Sequence, residues 1–274
     1  AGRDQLRVLR GDNTWTVTGD GSGQVGRIGF SGMEDLTGGV DNRDTFVFAP
    51  GGHIAGVIDG NHGGFDTLVL DGGRYDAVNY AATGPNSGSV WRDADLITYA
   101  GLEPIEDNTQ TIDRVLGMST GKDQDAVQSS QGDCRQILSG STFEAVIFHK
   151  PSASLTIQGL AGYDILTIHG LDLGDTRLQV EAEQILLPAG QVLTANADIA
   201  LNAAVILSVS GATSATVTAE QGLAQVLVDG SIVTSGRLAI AASVSNSAQL
   251  SRSGNGMSQD SDTSARAEIG AGAV

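Results

Sequence analysis

The feature that most constrains this chain is a recurring short segment in its second half. Leu155-Thr156-Ile157, Leu178-Gln179-Val180, Ile199-Ala200-Leu201, Ala215-Thr216-Val217 and Leu238-Ala239-Ile240 all alternate, with Ala265 to Gly270 as a last, weaker copy. Leu155 to Leu178 and Leu178 to Leu201 are each 23 residues, and Val217 to Leu238 is 21. A period near 20 residues is a mark of stacked repeats, in which one unit cannot bury its own apolar face and needs its neighbours. Period-2 alternation places successive side chains on opposite faces of a strand. Further short strands are expected between the repeats, at Gln184 to Leu187, Val205 to Leu207 and Gln225 to Val228. The expected fold is therefore all-β: an elongated parallel β-solenoid, or β-helix, with Leu155, Leu178, Leu201 and Leu238 stacked inside.

The first half follows the same grammar less regularly. Asp44 to Phe48, Val57 to Gly60 and Asp66 to Leu70 read as strands bounded by glycine. Residues 84–95, 103–111 and 119–133 are polar and read as loops projecting from the coil. No linker stands out, so residues 1–274 are read as one continuous domain. The alternative is a boundary near residue 115, with irregular Gly/Asp-rich coils over 1–115 and more regular ones over 116–274.

Composition narrows the function classes. Of 274 residues, 32 are acidic and 15 are Lys or Arg, a formal charge of −17. Such a balance disfavours nucleic acid, which needs a basic face, and anionic lipid; it favours cations or a basic or polar partner. The 38 glycines and 4% aromatic content suit short strands and tight turns better than a compact enzyme core. No apolar run reaches 18 residues, so no membrane-spanning helix is expected. The single cysteine, Cys134, excludes an internal disulfide framework. The chain starts without Met and stops inside a strand-like segment, and it reads as a piece of something longer.

Three turns set glycines ahead of an aspartate and an apolar strand: Gly38 to Asp44, Asp59 to Asp66, and Gly159 to Asp164. They resemble the calcium-binding turns of haemolysin-type (RTX) β-rolls. That resemblance implies calcium as the possible cofactor, with Asp44, Asp66 and Asp164 as ligands. Calcium takes hard oxygen donors. The first two turns carry an extra residue and the third lacks the second glycine. The competing reading is an Asp that hydrogen-bonds its own turn.

A broader resemblance rests on Gly11 to Trp15, Phe30 to Gly39, Leu96 to Ile105, and Phe143 to Phe148 with Pro151 to Ile157. In this order they resemble the modules of giant filamentous-haemagglutinin-like or adhesin-like bacterial surface proteins. The resemblance implies an extracellular or cell-surface location and a structural or adhesive role without catalytic residues. It also implies end-to-end self-association, or neighbouring repeats, together with a glycan or host-surface partner.

An enzymatic role, that of a β-helical carbohydrate-active enzyme, requires converging carboxylates. The pairs Asp123/Asp125 and Asp260/Asp262 have the spacing but sit among Gly, Ser and Gln, as in solvated loops. His53, His62, His149 and His169 have no metal-ligand spacing. Gly19 to Gly23 lacks the following lysine and helix of a phosphate loop. The chain is read as a non-enzyme.

Overall fold

A computed structural model of the chain describes residues 2–130, 135–212, 223–250 and 264–269. Every regular element in it is a strand. Two long sheets account for most of them. The 11-stranded sheet runs Gln5–Arg7, Asp35–Thr37, Val57–Asp59, Asp95–Ala100, Ser87–Arg92, Arg74–Gly84, Gln110–Gly117, Ser154–Gln158, Arg177–Ala182, Ile199–Ala212, Leu238–Leu250. The 13-stranded sheet runs Ser264–Ile269, Leu223–Val228, Gln184–Leu187, Ile165–His169, Gln124–Ser129, Arg135–Ser139, Val146–His149, Ile105–Asp107, Thr67–Leu70, Thr45–Phe48, Thr14–Gly19, Ser22–Val25, Ile28–Phe30. A third, three-stranded sheet joins Leu171–Asp172, Val192–Ala195 and Ser231–Thr234 in parallel.

Outside three meanders, the chain places one strand in the first large sheet and the next in the second, then returns to lie parallel to the strand one coil back, with a strand of the third sheet interposed on each return from Leu171 onward. Thr14–Gly19, Thr45–Phe48 and Thr67–Leu70 show the pattern, with Trp15 beside Phe46 and Phe46 beside Leu68. Inward residues alternate with outward ones, as in the buried Leu155 and Ile157 flanking the half-buried Thr156. The inward side chains of both sheets merge into one apolar cluster reaching from Trp15 to Val228. Full burial of a Leu, Ile, Val or Phe stabilises by about 1.5–3 kcal/mol, so the stacked columns carry most of the fold.

The predicted leucine column is corrected in its third member. Leu155 lies beside Leu178, but Leu178 lies beside Ile199 and Ile199 beside Leu238. Leu201 is buried in the neighbouring column, after Ile157 and Val180. Leu238 is 42% exposed. The interval between stacked strands is not constant, because intervening connections differ in length while hydrogen bonding fixes the register.

The predicted loops are corrected as well. Residues 74–100 form an antiparallel meander inserted between parallel strands. Its two-residue connections are Pro85-Asn86 and Asp93-Ala94, with Asn86 at φ 59° and Asp93 at φ 55°. Pro followed by Asn suits a tight turn because Pro presets the first dihedral and Asn tolerates the left-handed region. Residues 105–107 and 110–117 are strands, and Gln124–Ser129 opens a second meander with Arg135–Ser139 and Val146–His149. The third meander, Thr14–Gly19, Ser22–Val25 and Ile28–Phe30, lies at the edge of the 13-stranded sheet.

Candidate functional site

The three aspartates singled out as calcium ligands occupy one structural position. Each directly precedes a strand of the 13-stranded sheet, at the corner where the chain arrives from the other sheet. Asp44 and Asp66 stand side by side, because Thr45 pairs with Thr67. Asp164 is five strands away in that sheet, roughly 24 Å at 4.8 Å per strand. The structure therefore brings together two of the three.

All three are buried, and their oxygens hold backbone amides of the neighbouring strand. Asn13 N donates to Asp44 Oδ1 at 2.9 Å, Asp44 N to Asp66 Oδ1 at 2.6 Å, Asp123 N to Asp164 Oδ1 at 3.0 Å, and Asp164 N to Glu183 Oε2 at 2.7 Å. Asp44 Oδ2 also accepts Gly39 N within its own turn. Asp44 thus bonds its own turn, whereas Asp66 and Asp164 hold an amide of the neighbouring strand. A carboxylate accepting amides satisfies donors that a corner otherwise strands away from water. The glycines ahead of these acids have a local reason: a Cβ on Gly38 would strike Asp44 Oδ2, and one on Gly60 would strike the Gly101 carbonyl.

The row of acids is longer than the sequence suggests. Glu103 and Glu144 extend the Asp44–Asp66 run by strand register, and Asp123, Asp164 and Glu183 form a second run. Burial pushes Asp66 up to about 6, with Asp44 and Glu103 adding repulsion. It pushes Asp164 to about 7 and, aided by Asp123 and Asp164, Asp125 to about 8. Burial and Glu103 raise Glu144 to about 7, and burial raises Asp123 and Glu183. Asp123 accepts Ser119 Oγ on both oxygens. Asp125 is placed on a strand, not in a solvated loop; it is 4% exposed and neither of its oxygens has a hydrogen-bond partner. Asp164 Oδ2 is likewise unpartnered.

These shifts set a pH dependence. An acid whose folded pKa lies above its unfolded value binds more protons when folded, so stability falls as pH rises through the window between the two. Here that window opens in the ordinary carboxylate range and closes near the value of about 8 at Asp125. The melting temperature is therefore expected to be higher at pH 5 than at pH 8.5, and Asp125→Asn is expected to flatten the upper part of the curve. Thermal melts followed by circular dichroism check this, and a melting temperature that climbs from pH 5 to 8.5 contradicts it.

Two buried arginines, which sequence reasoning passed over, lie in the core between the sheets. The Arg114 guanidinium pairs with Asp107, reaches Thr109 Oγ1 at 3.3 Å and lies over the Phe148 and Tyr80 rings. Asp107 also accepts Tyr80 Oη at 2.6 Å and Thr109 N at 2.7 Å. Arg92 binds Asp95 and the Gly52 carbonyl beside Phe48 and Tyr75, and His53 meets the other oxygen of Asp95. The sequence signal was an arginine at an inward position of an alternating strand, as in Val90-Trp91-Arg92.

Among the described residues, no group of three or more His, Cys, Asp or Glu is arranged to hold a metal ion. Cys134, Asp260 and Asp262 lie outside the described residues. No protein-family model, no curated protein and no solved structure matches this chain.

Proposed function

We propose that this chain is a structural or adhesive segment of a large secreted bacterial cell-surface protein, wound as a parallel β-solenoid. The observation that carries the reading is the alternation of successive strands between two sheets. Outside the meanders each strand lies parallel to its counterpart in the preceding coil, and two runs of corner acids tie neighbouring strands together. Such a stack transmits load through backbone ladders and grows in one dimension. Eleven stacked strands at 4.8 Å correspond to a rod about 50 Å long. The meander strands are part of these ladders and add to their length.

End-to-end association follows from the same geometry. The 11-stranded sheet has Gln5–Arg7 at one edge and Leu238–Leu250 at the other. A head-to-tail contact between unlike ends does not close on itself and gives a filament. Electron microscopy and small-angle scattering of the purified chain are expected to show rods that lengthen with concentration. Deleting residues 1–10 is expected to leave the rods but abolish the lengthening. A compact particle would overturn the solenoid, and a rod that stays monomeric at high concentration would overturn the filament.

A second reading, a calcium-dependent RTX-like binding module, draws on one observation: the unpartnered oxygens of Asp125 and Asp164 at the acidic corner. A cation there would replace the proton that burial otherwise keeps. Calcium would then stabilise the folded chain by RT ln(1 + [L]/Kd). Equal melting temperatures in EDTA and in millimolar calcium would dispose of it.

A further inference from the structure

The corner opposite the acidic row carries a groove of about 720 Å³. Three stacked connections build it: the passage from Leu70 to Arg74, the passage from Asp107 to Gln110, and the passage from His149 to Ser152. Strand register holds them in order, with Arg74 beside Gln110 and Tyr75 beside Thr111, and Ser152 N donates to the Thr111 carbonyl. The groove therefore runs along the stacking direction, with a new set of side chains about every 4.8 Å.

Its lining differs from the rest of this acidic chain. Arg74, Asn108, Gln110, His149 and Lys150 all face it, and among the described residues none of their side chains is hydrogen-bonded or ion-paired. Lys150 is one of only two lysines in the chain. Acceptors are present as well: Asp76 is exposed, and Asp93 uses one oxygen on Ala77 N at 2.8 Å. The half-buried Tyr75 and the 46% exposed Ile112 add apolar surface. Tyr75 is held from behind by Arg92, 5.5 Å from its ring centre.

We infer that this groove binds an oligosaccharide bearing carboxylate groups. Sugar hydroxyls both donate and accept, which the mixture of amides, cations and carboxylates satisfies. Sugar C–H faces suit the Tyr75 and Ile112 surface. A carboxylate on the sugar finds the free Arg74 and Lys150, whose charge-assisted hydrogen bonds are the strong ones. The lengthwise groove fits a chain of repeating units better than a single small molecule. The inference deepens the adhesive reading and rests on it only for the setting in which the ligand is met.

The test is calorimetric titration of the full chain, in EDTA, with galacturonate and mannuronate tetrasaccharides and with a neutral glucose tetrasaccharide of the same length. Binding of at least one uronate is expected, with the neutral oligomer weaker by about tenfold or more. Arg74→Ala and Lys150→Ala are each expected to weaken uronate binding about tenfold. Ser152→Tyr, which fills the groove, is expected to abolish it, and melting temperatures should stay at the parent value. Arg27→Ala, outside the groove, should bind as the parent does. No uronate binding at millimolar concentration, equal binding of the neutral oligomer, or undiminished binding by the three groove variants would each overturn the assignment. Rod-shaped particles in the microscope with no uronate binding would overturn the groove alone, whereas binding by a compact particle would overturn the solenoid alone.

Discussion

Leu178→Asp is expected to abolish folding of the central strands, whereas Leu238→Asp, in the same column, is expected to cost no more than about 1 kcal/mol. Leu178 is fully buried between Leu155 and Ile199. A carboxylate there has no cation or donor to meet, and an unpaired buried charge costs several kcal/mol even after relaxation. That is a large part of the 5–15 kcal/mol that stabilises an ordinary domain. Leu238 keeps 42% of its surface in water, so a charge at that position stays solvated. Leu178→Ala supplies a graded version, expected to cost about 2–5 kcal/mol through the cavity it leaves. Urea titrations of the three variants decide the matter. If Leu178→Asp unfolds at the parent's midpoint, that side chain is not inside.

The second large effect concerns the buried pair between the sheets. Asp107→Ala is expected to destabilise by about 3–5 kcal/mol, because it strands the Arg114 guanidinium without its counter-charge. It also removes the acceptor of Tyr80 Oη and Thr109 N. The double variant Asp107→Asn with Arg114→Met removes both charges and keeps an acceptor for one of the two donors, so it is expected to recover part of the loss. Replacing a buried ion pair by groups of similar shape is often neutral or better. Unfolding free energies of Asp107→Asn, Arg114→Met and their double variant give the coupling. A loss below about 1 kcal/mol for Asp107→Ala would mean that water reaches Arg114.

The contrast between these positions shows what could be read in advance. Leu155 and Leu178 were legible as core because a strand buried on one face must alternate, and alternation is written in the residues themselves. The predominance of strands and the glycine-bounded corners were legible for the same kind of local reason. The buried acids were legible as a pattern but not as a row. Asp44 and Asp66 announced themselves through the glycines that make room for their side chains. Glu103, Glu144 and Glu183 did not, since only register places them beside their partners.

What the tertiary structure alone decided is the long-range order. Leu201 and Ile199 are equally good core residues by pattern, and only the ladder of hydrogen bonds assigns Ile199 to the Leu178 column. The meander over residues 74–100 was read in part as a loop because residues 84–95 are polar, Arg92 among them. Arg92 is tolerable inside only because Asp95, the Gly52 carbonyl and two aromatic rings surround it. The groove of Arg74, Gln110 and Lys150 has no sequence signature either, since its members come from connections 36 and 40 residues apart. Local alternation determined which segments become strands and which way they face. Register between strands distant in sequence, fixed by backbone hydrogen bonding, determined which residues meet.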